Sequence, residues 1–269
     1  LIYGDMPKDT ILMELADIIR KADNKSQTRE ELVTRTFTQI KHLLQVATDY
    51  AFDKNLWQNY LTFLLITNEN PFSITCEKVG ANEGSVNYFA KSDFKAFMEL
   101  FHYDFSALEE YLGIDCFTRL SNYKAIGKKE LMYNKNVSEK VRMLSEKLAA
   151  AADENEFFDA VTGFYKAYGV GMFGLNKAFR IQSREDGGVN FCAINNMDAV
   201  MLDDLIGYEI QKKKLVDNTL AFVEGKKANN VLLFGDSGTG KSTSIKAIVN
   251  EFYDQGLRMI EIYKHQFKD

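Results

Sequence analysis

The sequence predicts an α/β protein in two parts: a mainly α-helical N-terminal region, then a β-hairpin leading into the opening elements of a strand–loop–helix module. Three observations predict it. From Lys8 to about Tyr168 apolar residues recur at helical spacing, and Pro7 and Pro71 are the only prolines, so little interrupts a helix. Around Gly169 the pattern changes to short β-prone runs separated by glycine. From Val231 onward a short apolar run, a glycine-rich loop and an amphipathic stretch follow one another directly.

Ile11, Leu12, Leu15, Ile18 and Ile19 define the first helix. Thr28-x-x-Glu31 predicts a capping box, whose hydroxyl and carboxylate satisfy free N–H groups at a helix start, and Val33, Phe37, Ile40 and Leu44 form the stripe that follows. Trp57, Leu61, Leu64 and Leu65 make another stripe. The stretch 68–87, with Asn70-Pro71, Gly80 and Gly84, breaks the period and predicts a long loop. Ser106-x-x-Glu109 predicts a short capped helix that Gly113 ends. The basic stretch 124–136 predicts a connector. Val141, Leu144 and Leu148 line a further helix; Phe157, Val161, Phe164, Tyr165 and Tyr168 line the last, with Gly169 as its stop. That aromatic stripe invites a ligand-box reading, but strict helical spacing is the mark of core packing.

Gly169-Val-Gly171-Met-Phe-Gly174 matches G-x-G-x-x-G, a dinucleotide-binding pattern, and its context rejects it. The pattern has to follow a strand and open a helix, so that a pyrophosphate meets a helix N-terminus. Here it follows a helix and leads into strand-like Ala178-Phe-Arg-Ile181, so the glycines are better explained by a helix stop and a tight approach. The runs 178–183 and 189–194 flank the turn-rich Arg184-Glu-Asp-Gly-Gly188 and predict a hairpin. The domain boundaries expected are 1–176 for the helical region, 177–197 for the hairpin connector and 198–269 for the module.

Bulk properties exclude several function classes. The net charge of −5, with both signs interspersed, gives no electrostatic reason to expect nucleic acid or an anionic membrane. Cys76, Cys116 and Cys192 are far apart and odd in number, which reads as reduced thiols. His42, His102 and His265 have no metal-ligand spacing. No apolar run reaches the roughly 18 residues of a membrane span, and the start lacks a signal-peptide pattern, so a cytoplasmic location is expected.

The chemistry lies at the end. Val231-Leu-Leu-Phe234 reads as a buried strand, Gly235-Asp-Ser-Gly-Thr-Gly240-Lys241-Ser242 fits G-x-x-x-x-G-K-[ST], and Ile245, Ile248, Val249 and Phe252 define an amphipathic helix. The bare pattern arises by chance in roughly one chain in a hundred of this length. The strand before it and the helix after it lower that by about a further tenfold. Gly235, Gly238 and Gly240 let the backbone wrap a polyphosphate and turn N–H groups inward. The helix start adds unpaired N–H groups and the positive end of its dipole. Lys241 supplies charge to β/γ-phosphate oxygens, and Ser242 a hydroxyl for Mg²⁺. Ser237, Thr239 and Thr243 are further expected nucleotide contacts. Asp236, an acid within such a loop, is expected to face outward. Upstream, Lys212, Lys213 and Lys214 read as a solvated helix face rather than a nucleic-acid patch.

Leu202-Asp-Asp-Leu-Ile-Gly-Tyr-Glu-x-Gln211, the helix after it, Asn229-Asn-Val-Leu-Leu-Phe-Gly and the phosphate loop together resemble AAA+ P-loop ATPases. The whole chain is similar to a bacterial family of AAA+ ATP-binding proteins of unknown function with a helical N-terminal region. The resemblance implies an α/β P-loop NTPase module that binds ATP with Mg²⁺. Ile206, Gly207 and Tyr208 would pack against adenine, and residues 238–243 would cradle the phosphates. It also implies hydrolysis coupled to conformational change of a client, and a homo-oligomer formed through the module. Lys241 would be the charge on the phosphates. The general base, a Walker B acid pair, a sensor and an arginine finger find no place in this sequence, and Glu261, close behind Lys241, fits the second strand rather than Walker B.

In the AAA+ sheet the P-loop strand and the next strand in sequence are not neighbours. The expectation is therefore that the native protein continues beyond Asp269, or that 231–262 is rearranged, with no ladder joining 231–234 to 258–262. Three alternatives stand beside the ATPase: a nucleotide-binding or sensing module with little turnover, a GTPase, and a phosphotransferase acting on a small metabolite. Against the GTPase, Asn176-Lys177-Ala-Phe179 lacks the Asp of a guanine-reading motif and lies on the wrong side of the loop.

Overall fold

The computed structural model describes residues 2–4, 7, 10–125, 134–183, 188–195, 197–264 and 266. The middle of the expected basic connector, the turn of the hairpin and His265 lie outside the described residues. The chain is mainly helical with one small mixed sheet, and it divides into two compact units, Leu1–Gly174 and Leu175–Asp269. Among the described residues, no helix is long and apolar enough to cross a membrane.

The first unit is built from α1 (Ile11–Asp23), α2 (Arg29–Tyr50), α3 (Leu56–Thr67), α4 (Pro71–Val79), α5 (Val86–Phe101), α6 (Ser106–Leu112), α7 (Cys116–Leu120), α8 (Lys135–Ala150) and α9 (Glu154–Tyr168); α10 (Gly171–Leu175) ends at the boundary. Its core is aromatic. Phe94 stands 5.9 Å from both Phe157 and Phe158 and 6.0 Å from Phe72, uniting α4, α5 and α9. Tyr165 is fully buried and donates its hydroxyl to Leu65 O at 2.8 Å. Its single proton is then used, so the Tyr3 hydroxyl, 2.8 Å away, is the donor of that pair. Phe157, Val161, Phe164 and Tyr165 of the α9 stripe are therefore core, as their spacing predicts, while Tyr168 is half-buried. Arg35 of α2 joins α1 through Glu14 at 2.7 Å and Asp17 at 2.9 Å.

Three local expectations are corrected. The capping box at Thr28 and Glu31 forms, but α2 buries Leu32, Thr36, Gln39, Ile40, Leu43 and Ala47 instead of the Val33–Phe37 stripe. Thr36 tolerates burial because its hydroxyl bonds Leu32 O at 2.8 Å, whereas Phe37 is 51% exposed. The expected loop at 68–87 holds α4 and the start of α5. Asn70 caps α4 reciprocally with Ser73, both bonds 2.9 Å, and Pro71 takes the first helical position, where no N–H is needed. Ser106 starts α6 without capping it; its N–H and hydroxyl bond Asp104, while Glu109 accepts from Thr118.

The second unit carries the sheet, in the order β2-β1-β3. Strands β1 (Ala178–Ser183) and β2 (Val189–Ala193) form the expected antiparallel hairpin, from Phe179 opposite Ala193 to Ser183 opposite Val189. Strand β3 (Met259–Glu261) lies parallel to β1, with Phe179 opposite Ile260. Helices α11 (Glu209–Val223) and α12 (Lys241–Phe252) pack together, and a 3-10 turn at Leu202–Asp204 packs on α12. Helix α12 buries Ala247, Ile248, Val249 and Phe252, while Ile245 of the expected stripe is 43% exposed.

Residues 231–234 are a further correction. They form no strand, and Leu232 and Phe234 are 82% and 86% exposed. A strand exists only through its partners, and among the described residues the ladder at 259–261 is made with β1, not with 231–234.

Candidate functional site: a glycine loop closed on a lysine

Residues 235–242 leave the exposed 231–234 segment and enter α12 at Lys241. Gly235, Gly238 and Gly240 have φ of 142°, 80° and 81°, a backbone course that side chains with a Cβ rarely follow. The loop closes on its own lysine. Lys241 Nζ donates to Gly235 O at 3.0 Å and to Asp236 O at 2.6 Å, with Thr239 Oγ1 at 3.4 Å. Thr239 Oγ1 in turn donates to Asp236 O at 2.8 Å. Two carbonyls thus orient the ammonium, and its third proton has only the long contact to Thr239.

The entry to α12 receives no side-chain cap, and neither do those of α5, α6, α7 and α11. Helices α1, α2, α3, α4, α8 and α9 each receive a side-chain cap, from Thr10, Thr28, Asn55, Asn70, Asn134 and Asp153. The N-cap of α12 is Gly240, which has no side chain to give. The first N–H groups of this helix therefore keep their donors for another acceptor. Ser237 and Ser242 are exposed, Thr243 is half-buried, and Asp236 is exposed, as expected from the sequence. The donor set, one ammonium, hydroxyls and uncapped amides, fits a polyphosphate. Ser242 is the residue that would hold Mg²⁺, the phosphates supplying further oxygens. Among the described residues, no group of three or more His, Cys, Asp or Glu gathers to hold a metal.

The three residues expected against a base precede α11. Ile206 is 95% exposed, Gly207 has φ 84°, and Tyr208 is the N-cap of α11 with φ 57°, unusual for an aromatic residue. Lys213 and Lys214 are exposed, as a solvated helix face requires, but Lys212 is partly buried, donating to Leu205 O at 2.8 Å and pairing with Glu209 at 2.8 Å. Glu261 lies on β3 and is paired with Arg180 of β1 at 2.6 Å, so it belongs to the sheet.

Spacing alone missed Asn250. On α12, its Oδ1 accepts from Lys177 Nζ at 3.1 Å, and its Nδ2 donates to Asp198 O at 2.8 Å and Val200 O at 2.9 Å. Lys246, one turn earlier, pairs with Asp198 at 2.6 Å. An asparagine inside a helix has no motif to flag it.

The rejected glycine pattern at 169–174 is explained structurally. Gly169 ends α9 with φ 83°, and a Cβ on Gly174 would meet Gly169 C at 2.5 Å, a backbone crossing that no side chain can move. The Glu77 carboxylate accepts from Val170 N at 3.0 Å. Cys76 is buried and Cys116 half-buried; burial pushes both thiols up, away from the reactive thiolate.

Residues 175–269 match the model of a family described as protein of unknown function, DUF815. The match begins where the second compact unit begins. No curated protein and no solved structure matches the chain.

Proposed function

We propose that the second unit binds a nucleoside triphosphate at 235–243 and belongs to an AAA+ type ATPase module, whose nucleotide cycle drives conformational change in a client or partner. The observation that carries this reading is Lys241: two loop carbonyls hold its ammonium at the mouth of an uncapped helix. A bound triphosphate would take the free N–H groups of α12, the remaining proton of Lys241 and the hydroxyls of Ser242 and Thr243. Ser242 would hold magnesium, which would supply positive charge to offset that of the phosphates. Tyr208 and Ile206 offer an aromatic ring and an apolar side chain suited to a flat purine base, and the resemblance to AAA+ ATPases makes ATP the expected nucleotide.

Glu261 is held by Arg180, which favours the second reading, a nucleotide-binding or sensing module with little turnover. One experiment separates the two. Binding of Mg-ATP and release of phosphate are measured on the protein and on Lys241→Ala. Binding with turnover, both lost in the variant, supports the ATPase; binding without turnover supports the sensor. Failure of the unmodified protein to bind ATP or GTP rejects both, and tighter binding of GTP than ATP moves the reading to a GTPase.

A further inference from the structure

Both feet of the hairpin stand on one side chain of the helix that carries the phosphate loop. Lys177, directly before β1, donates to Asn250 Oδ1; Asp198 and Val200, beyond β2, offer their carbonyls to Asn250 Nδ2. The amide group meets three partners from two separate segments. Lys246 reinforces the exit foot through Asp198. The entry foot is reinforced twice: Met259 N donates to Lys177 O at 3.0 Å, and the Lys177 ammonium lies 5.3 Å from the ring of Tyr253, just past α12. Along its length, β1 is gripped by β3 through the parallel ladder and the Arg180–Glu261 pair.

We propose that Asn250 is a positioning residue that transmits the occupancy of the phosphate loop to the β1–β2 hairpin, making the hairpin the moving output of the nucleotide site; this rests on the nucleotide-binding reading above. The physical route is short. Lys241 and Asn250 lie on the same helix, nine residues and about 13 Å apart, and a helix of this length moves as a rod. A polyphosphate engages the first turn of that rod and nothing on the hairpin. Any difference in the rod's preferred position between empty and filled loop is then delivered to the hairpin feet, because Asn250 holds both. The hairpin is in this view an organ of the loop-bearing unit rather than a passive link.

The test is hydrogen–deuterium exchange on the full chain with and without saturating Mg-ATP, read in peptides covering 178–183, 189–193 and 197–200. In the unmodified protein Mg-ATP slows exchange in all three, by about threefold or more. Asn250→Ala keeps its affinity for Mg-ATP within about threefold, yet the hairpin response disappears. Asn250→Asp keeps an acceptor for Lys177 but loses the donor to Asp198 and Val200, so it retains the response at 178–183 and loses it at 197–200. A merely structural asparagine would change basal exchange and leave the nucleotide-dependent difference intact. The inference is overturned if Asn250→Ala responds like the unmodified protein, or if the unmodified protein binds Mg-ATP while its hairpin exchange stays constant. Absence of Mg-ATP binding in the unmodified protein is a separate outcome; it removes the nucleotide reading itself and this inference with it.

Discussion

Lys241 Nζ lies 2.6 Å from the carbonyl oxygen of Asp236, so the loop's one acidic residue holds the loop's one ammonium with its backbone, not its carboxylate. The side chain of Asp236 is left exposed to solvent. The two opposite charges of the loop are thereby kept for different uses.

Replacing Lys241 should separate charge from fit. Lys241→Ala removes a charged donor to the phosphates and the bonds to Gly235 O and Asp236 O, and is expected to weaken triphosphate binding about 10- to 100-fold. Lys241→Arg restores the charge, but the planar guanidinium does not reproduce an ammonium seated between two carbonyls, and it should bind no better than the alanine variant. Titration calorimetry with Mg-ATP checks both. Arginine rescue would mean that the carbonyl pair has no part in binding.

Asp236→Asn removes a negative charge that the fold does not use. Affinity for Mg-ATP is expected to stay within about threefold or to improve, most visibly at low ionic strength where exposed charges are least screened. A large loss of affinity would show that the carboxylate itself meets the ligand.

Gly174→Ala tests the backbone crossing below α9. The added methyl would stand 2.5 Å from Gly169 C and 2.9 Å from Gly169 O, and backbone has to move to admit it. The expected loss is about 1–3 kcal/mol in denaturant unfolding. Gly163→Ala, inside α9 where φ is not positive and nothing lies near the new atom, should instead be neutral or gain up to about 1 kcal/mol.

Alkaline stability follows from the buried tyrosines. Burial pushes Tyr60 up to about 12, against weaker opposing bonds, and raises Tyr3 and Tyr165 as well. The folded state binds these protons more tightly than the unfolded chain does. Stability is therefore fully present below the ordinary tyrosine value of about 10 and falls as pH rises from there through the folded values. Urea midpoints measured from pH 7 upward should be flat to about pH 10 and then decline. Tyr60→Phe should lessen the decline, and an unchanged slope would contradict the assignment.

Helices with a strong apolar period, the cap at Thr28 and the hairpin were legible because each depends on residues close in sequence. Helix α4 was misread because Asn-Pro marks a turn and a helix start equally well, and only the reciprocal Asn70–Ser73 bonds decide between them. The face of α2 was misread because a buried Thr36 satisfies its hydroxyl within the helix, which a polar-versus-apolar reading does not anticipate. At the candidate site the loop itself was legible, since its glycines and lysine stand in a fixed local order. Two features were not. Whether 231–234 pairs as a strand depends on distant partners, and the role of Asn250 depends on Lys177 and Asp198, 73 and 52 positions away.

The carboxylate of Glu77 at Val170 N means that a second glycine-rich stretch, similar in spelling to a nucleotide site, is already neutralised from inside the protein. Pattern searches would return 169–174 and 235–242 side by side. What tells them apart is the partner of the backbone donor: Val170 N is held by the Glu77 carboxylate, whereas α12 begins at Gly240 with no side-chain cap.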